Sequence, residues 1–273
     1  MTDETVLITG CSSGIGRATA ELFLDDGWTV YATSRNADDI TDLADDGART
    51  DALDVTSNDD VARVIDRIDD EIGSLDCLVN NAGYGLYGPL EDIPATELHD
   101  QFDVNVYGPH RLIRAALPLL RVAEGTVCNV SSVQGRLSVP GGGAYSGSKF
   151  ALEAMSDALR AEVEPFNVDV VLIEPGPVET NFQERAGSEA DDLIPGNEYD
   201  WVYESIEDST TVSGSLPITS TPEEVATTIH DAASVSAPET RYPVGRFARL
   251  VVNTRLLPDR VRDAVFGLVR RFA

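Results

Sequence analysis

From Thr5 to about Gly245 the chain alternates short valine-rich runs with longer stretches whose apolar residues recur every three or four positions, and this alternation leaves few folds open. A run that is apolar at successive positions must be covered on both faces, and two such runs joined by a helix pair as parallel strands through a crossover. Repeated units of this kind predict an α/β fold, a doubly wound parallel sheet of about seven strands with helices on both faces. The runs place strands near residues 5–9, 28–33, 49–53, 75–79, 125–131, 168–174 and 240–244, with helices near 14–26, 37–46, 57–72, 96–122, 144–165 and 221–234. No linker or repeat interrupts the pattern, so residues 1–245 read as a single domain. Within it residues 178–217 lose the apolar period and read as an irregular loop over a substrate. Residues 246–273 carry seven arginines against two aspartates and read as a basic amphipathic extension. A helix opening at Pro258-Asp259 would line up Val261, Val265, Leu268 and Phe272 and pack on the same domain or on a partner subunit.

The first strand passes into Thr9-Gly10-Cys11-Ser12-Ser13-Gly14-Ile15-Gly16 and from there directly into a helix. Strand, glycine turn and helix make a dinucleotide site. Glycine lets the backbone approach a pyrophosphate, and the free N–H groups at the positive end of the helix meet its charge. Further on, Tyr145-Ser146-Gly147-Ser148-Lys149 falls in a helical stretch, where positions i and i+4 share a face. Lys149 is the single lysine among 20 basic residues, the other positions being arginine, so a compact cation is wanted there. An ammonium about 4–6 Å from a phenol lowers the phenol's pKa by roughly 1–3 units, which would make Tyr145 a usable general acid or base.

These segments resemble the short-chain dehydrogenase/reductase family. The glycine spacing of Thr9–Gly16, the tetrad Asn80-Asn81-Ala82-Gly83 and the Tyr145/Lys149 pair all match its motifs, and the likeness runs from Thr5 to about Thr180. The resemblance implies the strand order 3-2-1-4-5-6-7 and a cofactor held by Gly10, Ser12, Ser13, Gly14, Ile15 and Gly16. It implies Asp54 and Val55 at the adenine, Asn81, Ala82 and Gly83 on the adenosine side, and Pro175, Gly176, Val178 and Thr180 at the nicotinamide carboxamide. It further implies Tyr145 as acid/base, Lys149 as its modifier and ribose anchor, Ser132 as the group that orients the substrate oxygen, and Asn105 as a relay residue holding a water. The sequence alone does not separate Ser132 from Ser131.

At the end of strand two, where NAD-specific enzymes place a carboxylate, the chain reads Ser34-Arg35, which suits the 2′-phosphate of NADP(H). Arg17 stands near enough in sequence to assist, while Asp38 and Asp39 leave NAD(H) as an alternative. The implied reaction is hydride transfer between nicotinamide and a carbonyl or alcohol carbon of a small organic substrate. A dinucleotide-sensing regulator without turnover is the other class, and it is the less favoured because Tyr145 and Lys149 are both present. Tyr84, Gln134, Phe182, Trp201 and Tyr203 are the candidates for lining a substrate pocket.

With 47 acidic and 20 basic residues the net charge is −27, a field that repels a nucleic-acid backbone and is damped at high salt. A salt-rich cytoplasm is therefore expected. Three cysteines and three histidines at irregular spacing predict neither a disulfide frame nor a metal site, and no apolar stretch predicts a membrane span. A homodimer or homotetramer is expected from the family resemblance.

Overall fold

The computed structural model describes residues 4–179, 197–213, 219–252, 258 and 260–261. Its strands are β1 (Thr5–Thr9), β2 (Thr29–Ser34), β3 (Arg49–Ala52), β4 (Cys77–Asn80), β5 (Thr126–Val130), β6 (Asp169–Pro175) and β7 (Arg241–Val244). They form one sheet, every pairing parallel, in the order β3-β2-β1-β4-β5-β6-β7. This is the expected fold and order.

The two faces follow from side-chain alternation along the strands. All five residues of β1 are buried. Val6 and Ile8 point into a core shared with Phe23 of α1 (Gly14–Asp25) and with Val225 and Ile229 of α8 (Pro222–Ser234). Leu7 points the other way, toward Val64 of α3 (Asn58–Glu71) and Leu112 and Leu120 of α5 (Gly108–Ala123). The strand order runs outward from β1 in both directions, which opens a crevice at the carboxyl ends of β1 and β4.

Three sequence expectations are corrected. The stretch 37–46 is a 3-10 turn, Ala37–Ile40, followed by the short α2 (Thr41–Asp45). The helix expected over 96–122 is divided into α4 (Ala95–Phe102) and α5 by a π-helical turn, Asp103–Tyr107, whose wider winding leaves no mark on an apolar period. Within 178–217, α7 (Asp200–Ser213) is helical; its apolar contact is narrow, Val202 and Ile206 against Gly141, too sparse for a periodic signal. The helix α9 (Gly245–Val251) leaves β7 directly and buries Ala248. The helix expected from Pro258 lies outside the described residues apart from Pro258, Arg260 and Val261.

The return to regular structure at α8 is written in the sequence. Thr221 Oγ1 accepts the Glu224 N–H at 3.3 Å, Glu224 Oε2 accepts the Thr221 N–H at 3.4 Å, and Pro222 occupies the first turn. No helix of the described residues is long and apolar enough to cross a membrane.

Candidate active site

α6 (Gly143–Val163) and the loops after β1, β4 and β5 converge at the carboxyl ends of the central strands. The turn after β1 needs Gly10 and Gly14 at φ of 77° and 57°. A Cβ on Gly16 would stand 2.3 Å from the Gly10 oxygen and 2.4 Å from Asn81 Nδ2, so only glycine admits this close approach. Asn81 Nδ2 donates to the Thr9 carbonyl at 2.8 Å, and the N–H groups of Asn81 and Ala82 both reach Thr9 Oγ1 at 3.0 Å. The first glycine turn and the Asn-Asn-Ala-Gly loop are thus one hydrogen-bonded unit. Ser13, at the start of α1, makes no side-chain cap to the helix. The first-turn N–H groups therefore face the crevice as an anion site, which fits a pyrophosphate.

Arg35 is exposed at the end of β2 and makes no ion pair among the described residues. Ser34 is buried and its hydroxyl donates to the Asn36 carbonyl, so it offers less than the sequence suggested. Arg17 does not join Arg35. Its guanidinium is held by Glu21, one turn on along α1, and by Asp42, which only the fold brings near. Asp54 turns its carboxylate back onto Thr56, at 2.9 Å to N–H and 2.7 Å to Oγ1, and Val55 packs against Gly108. After β6, Gly176 bonds Val244 through its N–H, and Val178 bridges to Ser220. Thr180 and Phe182 lie outside the described residues.

Tyr145 and Lys149 are both buried on one face of α6, with Nζ 5.7 Å from the ring centre. Nζ donates to the Val130 carbonyl at 2.8 Å. Ser132 Oγ accepts the Gln134 N–H at 3.1 Å, and the Ser132 hydroxyl is hydrogen-bonded to the phenol of Tyr145. Ser131 instead faces Glu153 across Gly135, so the geometry separates two serines that the sequence could not. Asn105 lies in the π turn. Its Nδ2 donates to the Tyr84 carbonyl at 2.8 Å and to Ser148 Oγ at 3.1 Å, and its Oδ1 accepts the Tyr84 N–H at 3.1 Å.

The electrostatics differ from the sequence expectation. Burial pushes the Tyr145 phenol up to about 12, with the Ser132 hydrogen bond acting downward. Burial also lowers Lys149 to about 8, with Glu153 acting upward. Desolvation disfavours both charged forms at once, and in this enclosed pair it outweighs the expected pull of the ammonium on the phenol.

Of the pocket candidates, Gln134 stands beside the phenol, and its Nε2 donates to Tyr87 Oη at 3.0 Å. Tyr87 was missed. Its ring lies 5.6 Å from that of Tyr145, a contact between the loop after β4 and α6 that no local pattern announces. Tyr84 is fixed through its main chain by Asn105 and Gln101. On α7, Tyr203 bonds Asp92 at 2.8 Å, and just before it Tyr199 bonds Glu91 at 2.6 Å, fastening this helix over the loop after β4. Trp201 sits on the same helix.

A parallel sheet of this order, with a glycine turn after β1 and a Tyr/Lys pair on α6, defines a dinucleotide-fold oxidoreductase. The short chain dehydrogenase family model matches residues 4–191, and the chain belongs to that family. It is 38% identical over 269 residues to the oxidoreductase YbbO of Escherichia coli, covering 96% of this chain and 93% of that one. It is 33% identical over 274 residues to an NADPH-dependent 3-dehydrocapnine reductase of Ornithobacterium rhinotracheale, covering 95% of each. Among solved structures, a short-chain dehydrogenase from Streptomyces avermitilis superposes with a TM-score of 0.83 at 32% identity, covering 99% of this chain and 98% of that one.

Proposed function

We propose that the protein is an NADP(H)-dependent oxidoreductase acting on a carbonyl or alcohol carbon of a small organic substrate, with Tyr145 as general acid/base. The observation that carries this reading is the phenol of Tyr145, buried, hydrogen-bonded to Ser132 and backed by Lys149 at the carboxyl edge of the sheet. Ser132 orients the substrate oxygen. With its own oxygen already accepting the Gln134 N–H, its proton is directed toward the phenol and the substrate. Tyr145, held protonated by burial, gives its proton to the oxygen as the carbonyl is reduced; in oxidation it is the phenolate form of Tyr145 that takes the proton from the hydroxyl. Pro175, Gly176 and Val178 would hold the nicotinamide, the group that would supply or accept the hydride. Asn105, whose side-chain amide is held by Tyr84 and Ser148, is assigned the relay water by the family resemblance.

The phosphorylated cofactor is favoured by the exposed Arg35 and by the lack of a carboxylate at the last position of β2, and the NADPH-dependent relative agrees with it. The net charge of −27 favours a salt-rich cytoplasm as the working environment. The test is Tyr145→Phe assayed with NADPH over a panel of carbonyl substrates at high salt. Turnover should fall by about 10²–10⁴ with NADPH binding kept, as for removal of a general acid. Undiminished turnover would remove the mechanism.

A further inference from the structure

Behind the phenol and the ammonium lies a second group of charges that the reaction described above does not use. Glu153 follows Lys149 by one turn on the same face of α6, and both side chains are buried. On a helix, side chains four residues apart lie with Cβ atoms about 5–6 Å from one another. Glu174 approaches from β6, and both carboxylates are almost wholly enclosed, with side chains only 4% and 2% exposed. Two arginines bind them. Arg241 of β7 lies 3.2 Å from Glu153 and 3.3 Å from Glu174, and Arg136, just after β5, lies 3.8 Å and 3.5 Å from the same two.

Two buried carboxylates are a costly way to brace two strands, since apolar side chains of the same volume would brace them at less cost in desolvation. The arginines do not account for them either, because Arg241 already has Asp157 at 2.7 Å on the more exposed side. What distinguishes Glu153 is its neighbour. The groups around Lys149 are Tyr145 and Glu153 on α6, the Val130 carbonyl of β5, Gly83 after β4 and Asn105 in the π turn. Among these Glu153 alone can carry a negative charge while Tyr145 is protonated.

We propose that Glu153 is a positioning residue that keeps Lys149 an ammonium: its buried carboxylate, oriented by Arg241, Arg136 and Ser131, supplies the counter-charge that holds the proton on Lys149 behind the phenol. Without it, enclosure favours the neutral amine, and a neutral amine can neither stabilise a phenolate nor pass on a proton. Burial is already strong enough to bring Lys149 down to about 8, with Glu153 opposing it. Glu174, raised to about 7 by burial and by the charge of Glu153, takes up a proton first as pH falls, so that Glu153, itself raised by burial but opposed by Ser131 and the two arginines, keeps its negative charge. The other charges facing Glu153 are Asp157 and Arg160 further along α6.

The inference rests on the reading of Lys149 as the cationic partner of Tyr145, but its test reads the charge on that lysine and not turnover, so the two can fail separately. Because the chain has one lysine, protein grown on ¹³Cε-labelled lysine gives a single side-chain resonance whose position follows the protonation of Nζ. In Glu153→Gln the midpoint should move down by about one pH unit or more, with the alkaline limb of kcat/KM moving down by the same amount. A midpoint within 0.2 of the wild-type value, set here as the threshold of about 0.3 kcal/mol, would overturn the proposal. Should Glu153→Gln not fold, the wild-type titration still decides. The Lys149 resonance should show a second inflection as the buried carboxylates protonate, and a single inflection would exclude the coupling.

Discussion

Lys149 Nζ stands 5.7 Å from the centre of the Tyr145 ring while donating to the Val130 carbonyl at 2.8 Å, so the main chain of β5, and not the phenol, fixes where the ammonium sits. An enclosed cation held this way costs stability whenever it is charged. The folded-state pKa of Lys149, about 8, is below its unfolded value, so between the two the unfolded chain binds more protons and stability rises with pH. The cost is complete below about 8 and relieved toward the unfolded lysine value near 10.4. Lys149→Met should therefore unfold at higher urea than the wild type at pH 7, by about 2 kcal/mol after the lost hydrogen bond to Val130 is counted. The gap should shrink by pH 9.5. A gap that does not change with pH would show that the lysine is not enclosed as described.

Arg35 is the free cation nearest the place where the two cofactors differ. Replacing it by leucine should weaken NADPH about 10–100-fold, the worth of paired charge-assisted hydrogen bonds, and leave NADH within about twofold. Fluorescence titration of the reduced cofactors at one fixed salt concentration reads both numbers. Equal weakening of both would assign Arg35 a structural part instead.

The backbone approach at Gly16 admits no side chain, so Gly16→Ala should cost about 1–3 kcal/mol in chemical unfolding, the range for forced overpacking, and weaken dinucleotide binding with it. Gly147 is the contrast. It lies inside α6 with only the edge of Phe102 at 3.8 Å, and Gly147→Ala should be neutral or stabilise by about 0.5–1 kcal/mol. A harmless Gly16→Ala would mean that the two signature loops are not joined as observed.

A net charge of −27 makes the folded state repel itself in dilute buffer. The melting temperature should rise steadily with KCl from about 0.1 M to above 1 M, where the screening length falls from about 10 Å to about 3 Å. A melting temperature indifferent to salt over this range would remove the inference of a salt-rich environment.

The elements with regular patterns were legible. All seven strands fall within two residues of their sequence positions; β1, β2, β4, β5 and β6 are largely buried apolar runs, while the edge strands β3 and β7 are only half-buried. The glycine turn and the Tyr145/Lys149 pair were legible because they are local. Other features were not. The π turn at Asp103–Tyr107 and the helix at Asp200–Ser213 depend on contacts with distant residues, and the sequence shows neither. Tyr87 was passed over for Tyr84 because the two stand in one loop, and only the fold brings Tyr87 to Tyr145.

The place of the glycine turn and the pairing of Tyr145 with Lys149 are properties of spacing along the chain, and the order of strands followed from the family resemblance those motifs carry. Which serine meets the phenol, where Arg17 is bound, and in which direction the paired groups titrate depend on burial and on side chains that arrive from other strands. Desolvation is a property of the whole enclosure and not of any segment, so it took the folded arrangement to decide that the phenol of Tyr145 is raised and the ammonium of Lys149 lowered.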